Sequence, residues 1–142
     1  MLATIDWLAV GVACIVLLIV LGLVAMVVRR RLIARGEPLA MVALQRGDGW
    51  RLGMTRFSTD SVQWFAVIGV GLRPRCVWRR GELDLGAPTP VTRAKPVAMV
   101  DAVQVECTIG EERFLIAVAP GDYTALRSWS ESAPPGLNAN VA

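Results

Sequence analysis

Residues 98–132 read AMVDAVQVECTIGEERFLIAVAPGDYTALRSWSES, and the change of period along them decides the fold. Val103, Val105 and Cys107 alternate with Gln104, Glu106 and Thr108. That two-residue repeat predicts a strand over Ala98–Thr108 with one buried face. IGEE turns the chain, and RFLIAVA (113–119) returns as a second strand. Asp122 or Gly121 can then cap a helix over residues 121–132, in which Tyr123, Leu126 and Trp129 recur every three residues. Such a stripe suits a helix laid on a sheet. Pro134 and Pro135 stop the helix, and residues 133–142 read as a flexible tail.

Upstream, the same period-two pattern predicts strands over Trp50–Ser58 and Ser61–Val70, with Thr59-Asp60 as a tight turn. RCVWRR (75–80) and ELDLG (82–86) supply two more. If Arg80-Gly81 forms a two-residue hairpin turn, Arg79 faces Glu82, Trp78 faces Leu83, Val77 faces Asp84 and Cys76 faces Leu85, which puts Trp78, Leu83, Cys76 and Leu85 on an apolar inner face and the others outside. Ala87–Pro96 carries three prolines in ten residues and reads as an exposed loop. The expectation is a small mainly-β domain over residues 49–132: six or seven antiparallel strands closed by one C-terminal helix. That outline resembles the pleckstrin-homology-like split barrel, whose terminal helix plugs one end and often carries a tryptophan, here Trp129.

The N-terminal part belongs to a different solvent. WLAVGVACIVLLIVLGLVAMVV (7–28) has no charged residue, and as a helix it would be about 33 Å long, enough to cross a hydrocarbon core. Residues 1–6 read as a short leader with Asp6 and no basic residue, and arginines occupy the flank where a signal peptide would be cleaved. An uncleaved signal anchor fits better. Arg29, Arg30, Arg31 and Arg35 follow at once in a basic juxtamembrane linker, residues 29–48, with at most a short turn or strand at Leu39–Leu44. The positive-inside rule places the N-terminus outside and the C-terminal domain in the cytoplasm of a single-pass cell-membrane protein.

The net charge of +3 is therefore a topology signal. Those four arginines against Asp6 account for all of it, and from Gly36 onward 11 basic residues balance 11 acidic ones. Nucleic acid is not expected as a partner, because phosphate-backbone binding needs an excess of Lys and Arg. The chain has no histidine and no CxxC, so zinc sites and nucleophile–histidine pairs are excluded. Cys14, Cys76 and Cys107 are expected as free thiols in a cytoplasmic protein, with Cys76 and Cys107 in the core.

GDGWRLGMTRF (47–57), RPRCVWRRGELDL (73–85) and YTALRSWSES (123–132), behind an N-terminal span, resemble a family of small actinobacterial membrane proteins, domain-of-unknown-function family 2550. The resemblance implies membrane anchoring and this architecture. Because the genes of that family tend to lie beside the ATP synthase operon, it also implies ATP synthase as a candidate partner.

No catalytic, cofactor or metal residues are expected, and no enzyme activity. Glu111 and Glu112 sit in a turn, Glu82 and Asp84 have arginines nearby, and Gly69–Gly71 lacks the Lys-Ser/Thr of a phosphate loop. The function expected is an adaptor or accessory module that binds another membrane protein. The alternative is a peripheral lipid-headgroup module on the anionic inner leaflet. The residues that could contact a partner or lipid are Arg73 and Arg75, with the juxtamembrane Arg29, Arg30, Arg31 and Arg35. A solvated strand face is the plainest reading of Arg73 and Arg75.

Overall fold

The computed structural model describes residues 2–92, 95–96 and 98–132, with side chains from residue 5 onward. The chain divides into two compact units, Met1–Gly36 and Glu37–Ala142. The expected tail, residues 133–142, with its Pro134–Pro135 stop, lies outside the described residues.

The first unit is one helix, α1 (Leu2–Ala34), with an apolar surface around its whole circumference. Its stretch Ile5–Ala34 is long and apolar enough to cross a membrane, and the most apolar part has none of its residues buried in the protein. A helix apolar on every side needs a protein core or a lipid phase around it. Its end is set by Arg35, which takes a left-handed φ of 47° and donates its backbone N–H to Arg31 O at 3.1 Å, followed by Gly36 at φ 84°. Arg29, Arg30 and Arg31 thus lie on the last helical turns and not in a linker.

The second unit is a seven-stranded antiparallel sheet and a helix: β1 (Leu39–Arg46), β2 (Gly49–Phe57), β3 (Ser61–Ala66), β4 (Cys76–Arg79), β5 (Leu83–Pro90), β6 (Val103–Ile109), β7 (Glu112–Val118) and α2 (Pro120–Glu131). The strand order is β4-β3-β2-β1-β7-β6-β5. Two meanders, β1–β4 and β5–β7, meet in the short β1–β7 ladder Val42↔Val118, Ala43↔Ala117, Leu44↔Ile116.

Within the expected linker, Leu39–Arg46 is a full central strand, longer than the short turn or strand expected at Leu39–Leu44. Its Val42, Ala43 and Leu44 are all buried, because Met99 and Ala102 pack with Ala43 and Ala117 while Val42 and Leu44 join the main core. A strand covered on both faces shows no two-residue alternation. The strand expected to begin at Ala98 starts only at Val103, because residues 98–102 form part of that cover.

β4 and β5 are the two edges of the sheet, so the hairpin ladder expected between them is absent. β4 pairs with β3 (Val62↔Trp78) and β5 with β6 (Leu85↔Cys107). In a flat seven-stranded sheet the edges would lie about 29 Å apart. Residues 80–82 are all that join Arg79 to Leu83, and four Cα steps reach at most about 15 Å. The sheet must curl until its edges approach. Trp78 on β4 accordingly stacks on Phe114 of β7 with centroids 5.4 Å apart, although three strands separate them in the order.

The expected loop at Ala87–Pro96 begins as strand. Pro88 and Pro90 pair with Val105 and Val103 in β5, beyond a register shift after Leu85. Proline lacks the donor for a second neighbour and is tolerated on an edge.

Inside the curl, Trp64 of β3 reaches past β2 and donates its indole N–H to Val42 O of β1 at 2.9 Å. Gly53 of β2 makes this possible, since a Cβ there would fall inside the indole ring. Thr55, 1 % exposed, donates its hydroxyl to Ala40 O at 3.1 Å. Both buried donors are thereby satisfied.

α2 opens with Pro120 in its first turn and Ala119 as the capping residue, without a side-chain cap from Asp122. Pro is preset for that position and has no N–H to satisfy. The stripe Tyr123, Leu126 and Trp129 lies on the core. Tyr123 Oη donates to Gly86 O of β5 at 3.1 Å, and Trp129 Nε1 donates to Ser58 O, just after β2, at 2.8 Å. Arg80 stacks over the Trp129 ring at 4.6 Å and donates to Ser132 O at 3.1 Å. The helix thus ties both meanders to the connection between them.

Chemical denaturation of the full chain in detergent checks two of these contacts. Gly53→Ala is expected to cost about 1–3 kcal/mol, because the large buried indole cannot step aside. Trp129→Ala removes a half-buried ring and its hydrogen bond, for an expected loss of about 3 kcal/mol.

Candidate functional site

Curling leaves a seam where β4 and β5 do not pair, and a cleft of about 360 Å³ opens beside β4. Cys76, Val77 and Trp78 form one wall, and Arg46 at the end of β1 contributes a cation. Glu112 and Phe114 of β7 form the other side. The lining combines a stacked Trp–Phe pair, a thiol, and side chains of both charges.

Cys76 is half-buried at this wall, whereas the sequence pattern puts it fully in the core. Burial raises its thiol pKa, and Arg46 and Arg75 only partly oppose that. Cys107, 1 % exposed, is pushed up to about 12 by burial, with the nearby carboxylates Asp84 and Glu106 acting in the same direction. Neither position favours a thiolate nucleophile at neutral pH.

Arg73 and Arg75 are both exposed and share the connection between β3 and β4, residues 67–75. Arg29, Arg30, Arg31 and Arg35 belong to the helical unit, at and just after the end of α1. Arg80 is not a free cation, being spent on α2. Arg56 lies over the Phe65 ring at 5.5 Å and donates to Gln63. Exposed ion pairs tie Glu106 to Arg113 and Glu131 to Arg127, so these carboxylates serve the surface.

Two features escape the sequence pattern. Arg46 and Phe114 reach the cleft only because the sheet curls, and no local spacing announces that. The strand expected to run to Val70 ends at Ala66. Val67 makes a last backbone bond to Leu52 O at 3.1 Å, and the chain then leaves with Ile68, Val70 and Leu72 pointing to solvent. The visible signal is the run IGVGL (68–72), where glycine replaces the polar partner of each apolar residue.

The thiols give a pH dependence. Between 9.0 and about 12 an unfolded Cys107 has lost its proton while the folded one keeps it. Unfolding then releases a proton, so stability falls as pH rises, by up to about 1.4 kcal/mol per unit from this group. The fall in stability between pH 9 and 10.5, followed by denaturation, is expected to be shallower in Cys107→Ala than in the unaltered chain.

Among known proteins, a family model described as protein of unknown function (DUF2550) matches residues 16–136. No curated protein and no solved structure matches the chain.

Proposed function

The chain belongs to the DUF2550 family of proteins of unknown function, and on that premise we propose that it is a non-enzymatic accessory module anchored in the cell membrane, which docks another membrane protein at the open seam. The observation that carries this reading is the outer edge of β4. It has no strand partner among the described residues and borders a cleft floored by Trp78 and Phe114. An extended segment of a partner can add to such an edge through backbone hydrogen bonds while its side chains enter the cleft.

α1 supplies the anchor. The arginines at its end favour a cytoplasmic face for the sheet domain, with the N-terminus outside. The absence of histidine from the chain and the raised thiol pKa values support a binding role over catalysis. ATP synthase, implied by the sequence resemblance, is the first partner to look for.

A photo-crosslinking residue at Val77, 53 % exposed on β4, tests the seam in native membranes. One dominant protein adduct is expected from Val77, and none from the same probe at the exposed Arg51 of β2. No adduct at Val77, or equal adducts at both positions, overturns the docking reading.

A further inference from the structure

Among the described residues of the sheet domain, the β3–β4 connection gathers three exposed large aliphatic side chains. Ile68 is 87 % exposed, Val70 97 % and Leu72 53 %, within five residues. Gly69, at φ 153°, holds a backbone conformation that side-chain-bearing residues rarely adopt, and a Cβ there or at Gly71 would meet only open space. Three adjacent aliphatic side chains in water are a standing cost, and such a patch marks a contact surface.

Three observations say what covers it. First, the flank is basic. Arg73 and Arg75 follow the tip, neither is in an ion pair among the described residues, and residues 61–81 contain no acidic side chain. In a domain whose 11 basic and 11 acidic residues cancel overall, this is a local surplus on exposed residues. Second, the tip is aliphatic and glycine-spaced. It has no ring and no polar group to fix an orientation, whereas the core of a protein interface is enriched in aromatic anchors. A fluid apolar phase makes no such demand. Third, only residues 35–38 separate α1 from β1, at most about 18 Å of extended chain. A bilayer crossed by α1 would keep the domain near its surface, so that even a weak contact is populated.

We propose that the β3–β4 loop dips Ile68, Val70 and Leu72 into the headgroup boundary of an anionic bilayer, with Arg73 and Arg75 at the level of the lipid phosphates. Aliphatic residues at the boundary and arginines just above them is the division of labour of interfacial membrane segments. The contact rests on α1 being the anchor. It leaves the β4 edge available, since the loop precedes that strand.

The test uses the full chain in nanodiscs. An environment-sensitive fluorophore is placed at Val70→Cys, or at the control Arg51→Cys, in a Cys14→Ala, Cys76→Ser background. Nitroxide-labelled lipids are the quencher, in discs of phosphatidylcholine alone or with phosphatidylglycerol. Position 70 is expected to be blue-shifted and quenched, more strongly in the anionic discs, and position 51 to be neither. Replacing Arg73 or Arg75 by Gln is expected to lower the insertion equilibrium about fivefold each in anionic discs, which corresponds to about 1 kcal/mol per arginine. Its effect in neutral discs should be small.

Carbonate-resistant association of the chain with vesicles reads α1 separately from the label. If the chain is retained but position 70 is no more quenched than position 51 in either lipid, the loop does not meet the membrane and the proposal falls. Insertion equal in neutral and anionic discs overturns the role given to the arginines. If the chain is extracted by carbonate, the anchor reading fails with it.

Discussion

Arg79 and Leu83 end opposite edges of one seven-stranded sheet, yet three residues join them. Most of the second unit follows from that constraint. The edges must be drawn together, which forces the sheet to close around Val62, Trp64, Val105, Ile116 and Val118. It also sets Trp78 against Phe114 and fixes where the seam opens. Closure by a short link has little tolerance, and the link is braced at several points. Arg80 donates its backbone N–H to Asp60 O at 2.8 Å while its guanidinium lies over Trp129. α2 is thereby held by the same residue that braces the short link between the two edges, so the helix and the curl of the sheet support each other.

Elements with one wet face were legible in the sequence. β2, β6 and α2 alternate or recur with the period of their structure, and each is found within a few residues of where that period places it, while β7, whose Ile116, Ala117 and Val118 are all buried, is marked by its apolar run after the IGEE turn. The face assignments of Trp78, Leu83 and Leu85 also hold, although the ladder that suggested them does not. Periodicity reports which way a side chain points and is silent on which strand lies next to it. β1 was legible only as a short turn or strand at Leu39–Leu44, because both its faces are covered, one by the core and one by Met99 and Ala102, and no alternation marks its full length. Only the second half of β5, residues 87–90, was hidden, because proline, normally a mark against a strand, costs little on an edge.

The candidate site was legible in part for the same reason. Arg73 and Arg75 stand out by composition and are exposed as a basic run suggests, but their apolar neighbours were absorbed into an over-long strand. What separates Ile68, Val70 and Leu72 from core residues is that, among the described residues, no strand faces the chain after Val67. That is a tertiary fact. The cleft is less legible still, since Arg46, Trp78 and Phe114 lie on three strands that converge only after closure.

The two edges at the seam are not equivalent. β5 carries Pro88 and Pro90 and has α2 packed against it, with Tyr123 bonded to Gly86 O. Two missing donors and a covering helix leave it poorly able to take another strand. β4 is blunted differently, by its length of four residues and by Arg79 and Arg80 at its end. Short, charged edges resist indiscriminate pairing while their backbone stays able to bond. A partner that supplies only backbone hydrogen bonds would gain little over four residues, so recognition must come from what fills the cleft beside them. Under the proposed docking, Trp78 and Phe114 together with the cation of Arg46 and the carboxylate of Glu112 would suit a segment that combines an apolar side chain with charge.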